Sequence, residues 1–586
     1  MRTVAHITHE AIQKIGGIGA VLHGLLTARS YAENVPRTLL IGPLFDTGTE
    51  GDARLGVGGE VLYSSLDNIR RTPYADALQE IESTYSVAIV YGRRRFENHD
   101  TGVTANTEVI LIEVSYINLE RNNSFKYALY AQFGIESNRY QEIWEYEQYI
   151  RLAEPGYDAL CTLTAEDADD ECFIIAHEFM GMPFALKATL DGRANMRTIF
   201  YAHEVATVRR IVEEHAGHDT MFYNVMNRAM ADGQSIDEAF GDQFDFFKHP
   251  LIENASVCDN IFAVGDFVQQ ELYFLSHAHR DLPVDLVYNG IPAFELNLTE
   301  KLASKRRLQQ YAENLLGYLP DYVMTHVTRL VQSKGLWRDL QLLEHLDQLF
   351  APNDKKAVLF ILSTEIATGR SSEDVHQMEA KYGWPVHHEL GYPDLTGGEA
   401  DLNSGIVAFN HNSRAIEAVF VNQFGWSRER CGTRMPEDME FMDIRKGSDV
   451  EFGQSIYEPF GIAQVEPLSF GAICVVSNVC GCVGFVQRVT NGTDVPNVIV
   501  ADYTLMPHPP DSIDALKAIG TEERSQIEAA NSFDIAAKLL GRLPRNERDV
   551  DEMIARGYEI AQKMSWEVVV EDYFLPGLDR ALKNGA

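Results

Sequence analysis

Basic residues are few in this chain. Lys and Arg number 50 against 86 Asp and Glu in 586 residues, a formal net charge of −36. Nucleic acid and anionic membranes both demand a Lys/Arg excess, so the charge argues against either as partner. An anionic small molecule would need a locally basic pocket set against the global field. Cysteine is also sparse: seven residues, unevenly spaced, make no disulfide framework and point to a reducing compartment. No run of about 18 apolar residues occurs. The opening MRTVAHITHEAIQK lacks a charged-then-apolar leader. The expectation is a soluble, cytoplasmic protein. No repeat period or low-complexity tract is present either.

What is present reads as a folded enzyme of two to four domains, 45 % hydrophobic and 23 % charged. Short apolar, β-branched runs alternate with helical patterns, the signature of parallel sheets with crossover helices. The first half holds TVAHIT, RTLLIGPLF, VAIVYG, EVILIEV, FIIAHEF, RTIFYAHE, NIFAVG and DLVYNGI, and the second YVMTHVT, AVLFILST, AVFVNQF, ICVVSN and NVIVADY. A strand stops at a turn in Tyr288-Asn-Gly-Ile-Pro292 and a polar stretch follows. The expected division is therefore 1–293, 294–564 and a terminal amphipathic helix, 565–586. Two open α/β sheets in tandem bind ligands at the carboxyl ends of their strands. Residues 118–155 are rich in Tyr and Trp; buried or oligomeric packing is the first reading, a carbohydrate-stacking surface the second.

Three segments carry chemistry. Lys14-Ile-Gly16-Gly17-Ile-Gly19 follows the first strand, where backbone N–H groups at a helix start favour an anion and a Lys adds a point charge. It fails the dinucleotide fingerprint, since the third glycine position is Leu22, and no P-loop exists. A plain tight turn is the competing reading. Arg329 and Lys334 lie five apart beyond a strand and can reach one diphosphate, although a solvated basic turn has the same look. Tyr457-Glu458-Pro-Phe460-Gly461, with Glu466 eight residues beyond Glu458, combines a strand, a Pro-x-Gly turn and a helix. Glu458 then sits in the loop, and Glu466 is able to accept two hydroxyls. Both His-Glu dipeptides, at 177 and 203, fail the HExxH test. His215 and His218 read as a solvated helix face. Cys480-Gly-Cys482 is too tight for a zinc or redox pair. No metal site is expected.

Taken together, KIGG, FYAHE, YNG, THVTRLVQSKG, YEPFGIAQVE and MSWE resemble retaining glycosyltransferases of the two-domain GT-B fold. Among these the chain looks most like glycogen and starch synthases. Asp443-Ile-Arg-Lys-Gly447, Ser477-Asn-Val-Cys-Gly481 and Ile175-Ala-His-Glu178 extend the likeness. The animal and fungal type is nearer, because Arg209 follows His203 by six positions. The resemblance implies an α/β architecture of two Rossmann-like, doubly wound domains facing across a deep cleft, with the C-terminal helix crossing back to the N-terminal domain. It implies a hexosyltransferase moving glucose from UDP- or ADP-glucose to the non-reducing end of an α-1,4-glucan, with no cofactor and no metal.

By the same resemblance, Lys14 with Gly16 and Gly17 contacts the diphosphate or the sugar. Arg329 and Lys334 hold the diphosphate as it leaves, Arg209 assisting. His203 lies under the sugar. Glu458, with Tyr457, Phe460 and Gly461, grips sugar hydroxyls; Glu466 binds the ribose and Phe441 stacks on the base. His177 and Glu178 match an acceptor-side segment, with Phe179 in place of its Trp. Cations that take up charge on a departing phosphate suit this chemistry. No carboxylate nucleophile can be argued from spacing, so retention is expected by front-face attack rather than through a covalent intermediate. Two features depart from the pattern. Residues 351–431 match nothing in it, and Arg542, Arg545 and Arg548 are too sparse for the arginine helix that senses glucose 6-phosphate. A transferase to a small acceptor, of the sucrose, sucrose-phosphate or trehalose type, and a silent glucan-binding scaffold remain the alternatives.

Overall fold

The computed structural model describes residues 2–12, 16–98, 101–165 and 170–585. The chain divides into two compact units. One comprises Met1–Val208, Met230–Gly290 and Trp566–Ala586, the other Arg209–Ala229 and Ile291–Ser565. The helical stretch 209–229, which sequence alone leaves in the first half, is thus counted with the second unit.

The first unit is built on a ten-stranded sheet. Its strands are β1 (Arg2–Ile7), β2 (Arg37–Pro43), β3 (Gly59–Ser64), β4 (Ile69–Arg70), β5 (Ala88–Glu97), β6 (Thr104–Glu113), β7 (Glu171–His177), β8 (Met196–Ala202), β9 (Asn260–Ala263) and β10 (Val284–Leu286). Their spatial order is β10-β9-β8-β7-β1-β2-β6-β5-β3-β4. From β10 to β6 every pair is parallel, whereas β5, β3 and β4 extend the edge antiparallel. The wholly parallel expectation fails at that edge for a simple reason. The link between β5 and β6, residues 98–103, is too short to hold a crossover helix, so the chain must turn back on itself.

The second unit carries six parallel strands: β11 (Tyr322–Val327), β12 (Ala357–Leu362), β13 (Ile416–Val421), β14 (Val450–Gly453), β15 (Ile473–Ser477) and β16 (Val498–Ala501), in the order β13-β12-β11-β14-β15-β16. Alternation along β12 shows how the sheet is buried on both faces. Ala357, Leu359 and Ile361 enter one hydrophobic cluster with Leu343 and Ile406; Val358, Phe360 and Leu362 enter the other with Tyr311 and Trp384. Residues 351–431, unmatched in the family pattern, supply β12, β13 and the helices that cover them. Within that stretch His388 is tied to Asp394 and to the Phe420 carbonyl, and Arg370 makes a buried ion pair with Glu399.

The C-terminal segment belongs to the first unit. It is helical from Trp566 to Asn584, with one π-helical turn at Val570–Phe574, and it buries Phe574, Leu578 and Ala581. Glu567 accepts hydrogen bonds from the Arg29 amide (2.6 Å) and from the Ser30 amide and hydroxyl (3.0 and 2.8 Å), capping the helix Arg29–Asn34. Trp566 lies directly against Gly24 and Gly290; a Cβ at Gly290 would come within 2.6 Å of the indole. No described helix is long and apolar enough to cross a membrane.

Gly24 sets helix propensity against packing. It lies inside the helix Gly17–Leu26, where Ala is favoured by about 1 kcal/mol. A methyl there overlaps the Trp566 ring, and overpacking costs about 1–3 kcal/mol. Gly24→Ala is therefore expected to destabilise, lowering the urea midpoint. An increase would show that Trp566 moves aside freely.

Candidate functional site

In the first unit the expected anion turn is already partly filled. Glu10, which is buried, accepts hydrogen bonds from the Gly16 and Gly19 amides, each at 2.9 Å, so a carboxylate of the protein itself sits at the start of the helix Gly17–Leu26. Among the described residues nothing lies within 4 Å of where a Cβ at Gly17 would be. Lys14 lies outside the described residues.

His177 ends β7 and His203 follows β8, so adjacent parallel strands bring them together: His177 Nδ1 and His203 Nε2 are 2.8 Å apart. His177 is fully buried, and its ring acts on His203 rather than on anything in solvent. Glu178 is buried too, in a left-handed backbone conformation (φ +60°). One of its carboxyl oxygens accepts from the backbone amides of His203 and Glu204, the latter at 2.6 Å; Oε2 has no hydrogen-bond partner among the described residues. The Glu178 side chain thus fixes the turn that carries His203. Burial, with Glu204 nearby, holds its pKa well above the usual carboxylate range.

In the second unit two loops meet because β11 and β14 are neighbours in the sheet. Lys334 ends a 3₁₀ turn, Gln332–Lys334, beyond β11; Glu458 follows β14. They form an ion pair in which both side chains keep some exposure. Gln464 joins them, donating to Ser455 Oγ (2.8 Å) and Glu458 Oε2 (3.3 Å), while the Ile456 amide donates to the Ser333 carbonyl (2.8 Å). Gly461 has φ +90° and starts the short helix Ile462–Val465, and a Cβ there would crowd Gln464. Glu466 opens a 3₁₀ turn after that helix and is held by Arg445, Nε to Oε2 at 3.0 Å. Arg445 also reaches Glu451 on β14 (3.0 Å), so Glu466 is anchored to the sheet. Tyr457 and Phe460 are buried, Phe441 is 44 % exposed and Arg329 is exposed; Arg209 pairs with Glu213 at 3.1 Å.

These positions sit on a known scaffold. A solved structure of the catalytic domain of starch synthase IV from Arabidopsis thaliana, bound to ADP and acarbose, matches 99 % of this chain and 99 % of its own at 12 % identity and TM-score 0.50. The fold is GT-B. An α,α-trehalose-phosphate synthase from Burkholderia xenovorans (11 % identity, 99 % and 100 % covered, TM-score 0.47) and a sucrose-phosphate synthase from Thermosynechococcus elongatus (13 %, all of both chains, 0.43) also match. No family model and no curated protein matches the sequence.

Several features of the structure escaped the sequence. Arg338 is fully buried between Asp219 (2.6 Å) and Glu528 (2.9 Å), and its guanidinium also reaches the Gln454 and Ser455 carbonyls (both 3.3 Å), bracing the loop that leads to Glu458. Nothing in the local spacing pairs 219, 338 and 528. His218, expected on a solvated face, is buried, with its Nδ1 against the Val212 carbonyl at 2.7 Å. In the aromatic segment Tyr140, Tyr146 and Tyr149 are core, whereas Tyr127, Tyr130 and Trp144 are exposed. Cys480 and Cys482 are buried. Among the described residues no cluster of His, Cys, Asp or Glu is placed to hold a metal ion.

Glu178 yields a test of sign. A carboxyl whose pKa is raised on folding binds its proton more tightly folded than unfolded, so it lends stability at low pH that is lost as pH rises. Glu178→Gln keeps the carbonyl acceptor and removes the titration. Urea unfolding from pH 5 to 8 should show wild type losing stability relative to the variant as pH rises. Parallel curves would mean that Glu178 is charged in the folded protein.

Proposed function

We propose that this chain is a retaining hexosyltransferase that moves glucose from a nucleotide sugar to the non-reducing end of an α-1,4-glucan, as glycogen synthases do, without a metal ion. The observation that carries the reading is the Lys334–Glu458–Gln464 cluster at the carboxyl ends of β11 and β14, on a fold shared with a starch synthase that binds ADP and acarbose. A cation next to a carboxylate suits a donor whose diphosphate and sugar hydroxyls are adjacent.

In this reading Lys334 and Arg329 take the diphosphate, with Arg209 assisting. Glu458 accepts from sugar hydroxyls beside the Tyr457-to-Gly461 turn. Glu466, fixed by Arg445, takes the ribose, and the exposed Phe441 ring stacks on the base. His203 faces the sugar, with His177 and Glu178 holding it in place. The leaving phosphate accepts the proton of the incoming hydroxyl on the same face, so the α-configuration is retained. No bond to the enzyme forms. Since cations of the protein offset the developing charge, the reaction needs no divalent ion.

The test is transfer of radiolabelled glucose, crossing UDP- and ADP-glucose with glycogen, maltose and fructose 6-phosphate, with and without EDTA. Incorporation into glycogen from one donor, unchanged by EDTA, is the expected result. Label confined to a small acceptor would overturn the glucan assignment, and silence with no donor binding in calorimetry would overturn the enzyme.

Glu458→Ala carries the site assignment. Turnover should fall about 10²–10³-fold. The melting temperature should stay within a few degrees, because a partly exposed ion pair contributes only about 0–1 kcal/mol. Near wild-type activity would show that the cluster is not the site.

A further inference from the structure

Register alone draws a diagonal across the first sheet. Parallel pairing sets Val4 opposite Thr38, His6 opposite Ile175 and His177 opposite Tyr201. Side chains alternate along strands, so Thr38, His6, His177 and His203 share one face, each histidine two residues nearer the carboxyl edge than the one before. The side chains close the gaps. Tyr31 OH lies 3.2 Å from Thr38 Oγ1 and 3.1 Å from His6 Nε2; His6 Nδ1 lies 2.9 Å from His177 Nε2; His177 Nδ1 lies 2.8 Å from His203 Nε2. The run is buried from Thr38 to His177, and only its last ring, His203, is partly exposed. His6 and His177 are fully buried, Tyr31 is 2 % exposed, and Phe574 of the C-terminal helix covers the His6 and Tyr31 rings.

Burial keeps all three rings neutral. His6 and His203 are both lowered to about 3, His177 falls well below its ordinary value, and the Tyr31 hydroxyl is pushed up. A neutral imidazole has one N–H and one lone pair. Each ring must therefore donate on one side and accept on the other, and neighbours have to agree. Two arrangements satisfy every link. In one, Thr38 donates to Tyr31, Tyr31 to His6, and every ring carries its proton on Nδ1. In the other all three carry it on Nε2, and the chain runs back to Thr38. A mixed arrangement would set two N–H groups, or two lone pairs, against each other about 2.9 Å apart.

We propose that Tyr31, His6 and His177 are positioning residues that lock the ring orientation and tautomer of His203 through one directional hydrogen-bond chain. Exchanging the two arrangements would require a proton to enter at one end as another leaves at the far end. Without such passage His203 presents a single face, donor or acceptor, through Nδ1. The proposal leans on the transferase reading only for what Nδ1 meets.

The test is the ¹⁵N spectrum of the full-length protein with labelled histidine, the three rings assigned by single variants. The expected result is one tautomer per ring, with the same nitrogen protonated in all three. Rings that differ in the protonated nitrogen, or a tautomer mixture at His203, would overturn the chain. His177→Phe cuts it next to His203 and should leave His203 averaging between tautomers. His177→Gln, which restores a donor and an acceptor, should return it to one. A single His203 tautomer in the Phe variant would overturn the locking. In the transfer assay the Phe variant should lose kcat by up to about a hundredfold with KM nearly unchanged. Because the spectra need no substrate, they decide the chain even if the transfer assay is silent.

Discussion

A parallel strand has to be followed by a crossover, and a crossover returns the chain so that successive strands end at the same edge of the sheet. Both units depend on that constraint. β1, β7 and β8 end together and carry His6, His177 and His203 to one edge. β11 and β14 end together and carry Lys334 and Glu458 to another. Residues separated by more than a hundred positions in sequence thereby meet within hydrogen-bond reach, and no loop has to be long. Where the parallel rule lapses, at β5, β3 and β4, none of the candidate residues is found.

Buried acidic side chains do most of the fastening behind these edges. Glu10 holds the glycine turn, Glu178 the turn that carries His203, and Glu451 the guanidinium that holds Glu466. Each serves backbone N–H groups or a buried cation rather than solvent. That pattern has a physical cause. Turns at a sheet edge leave amide donors without strand partners, and a buried amide left unpaired costs about 1–3 kcal/mol. One acidic side chain satisfies two at once, as Glu10 and Glu178 do. Replacing one partner of such a group costs more than the pair contributes, which is why Arg338, between two acids, is a bracing element rather than a source of net stability.

The strand pattern was legible because fully buried parallel strands are short continuous apolar runs, and each of the thirteen runs named from sequence falls on a strand. β3, β4 and β14 were not, since Gly59–Ser64 is half exposed, Ile69–Arg70 has two residues, and Val450–Gly453 is brief and interrupted by Glu451. The glutamates of the EPFG segment and the cations near 329–334 could be singled out from composition and turn chemistry. What those residues touch could not. Lys334 pairs with Glu458 only because β14 was placed beside β11, and Glu10 fills the anion turn only because tertiary folding sets its carboxyl against the Gly16 and Gly19 amides. His218 reads as solvated from its polar neighbours, and it is buried because Trp337 packs over it. Each of these depends on tertiary neighbours, which neither period nor spacing encodes.

The histidine diagonal also shows which electrostatic effect wins in so acidic a chain. A net charge of −36 favours protonated imidazoles everywhere, but exposed charges act through water and are largely screened beyond about 8 Å at physiological salt. Desolvation acts on the ring itself and can move a fully buried group by 3–5 units. Local burial therefore overrides the global field, and the three rings stay neutral. Only neutral rings can form a directional chain, because an imidazolium donates from both nitrogens and would break the sequence at its neighbour. The C-terminal helix is part of that outcome. By laying Phe574 over His6 and Tyr31 it covers the inner end of the run, so the C-terminal helix helps keep the ring at the first strand neutral.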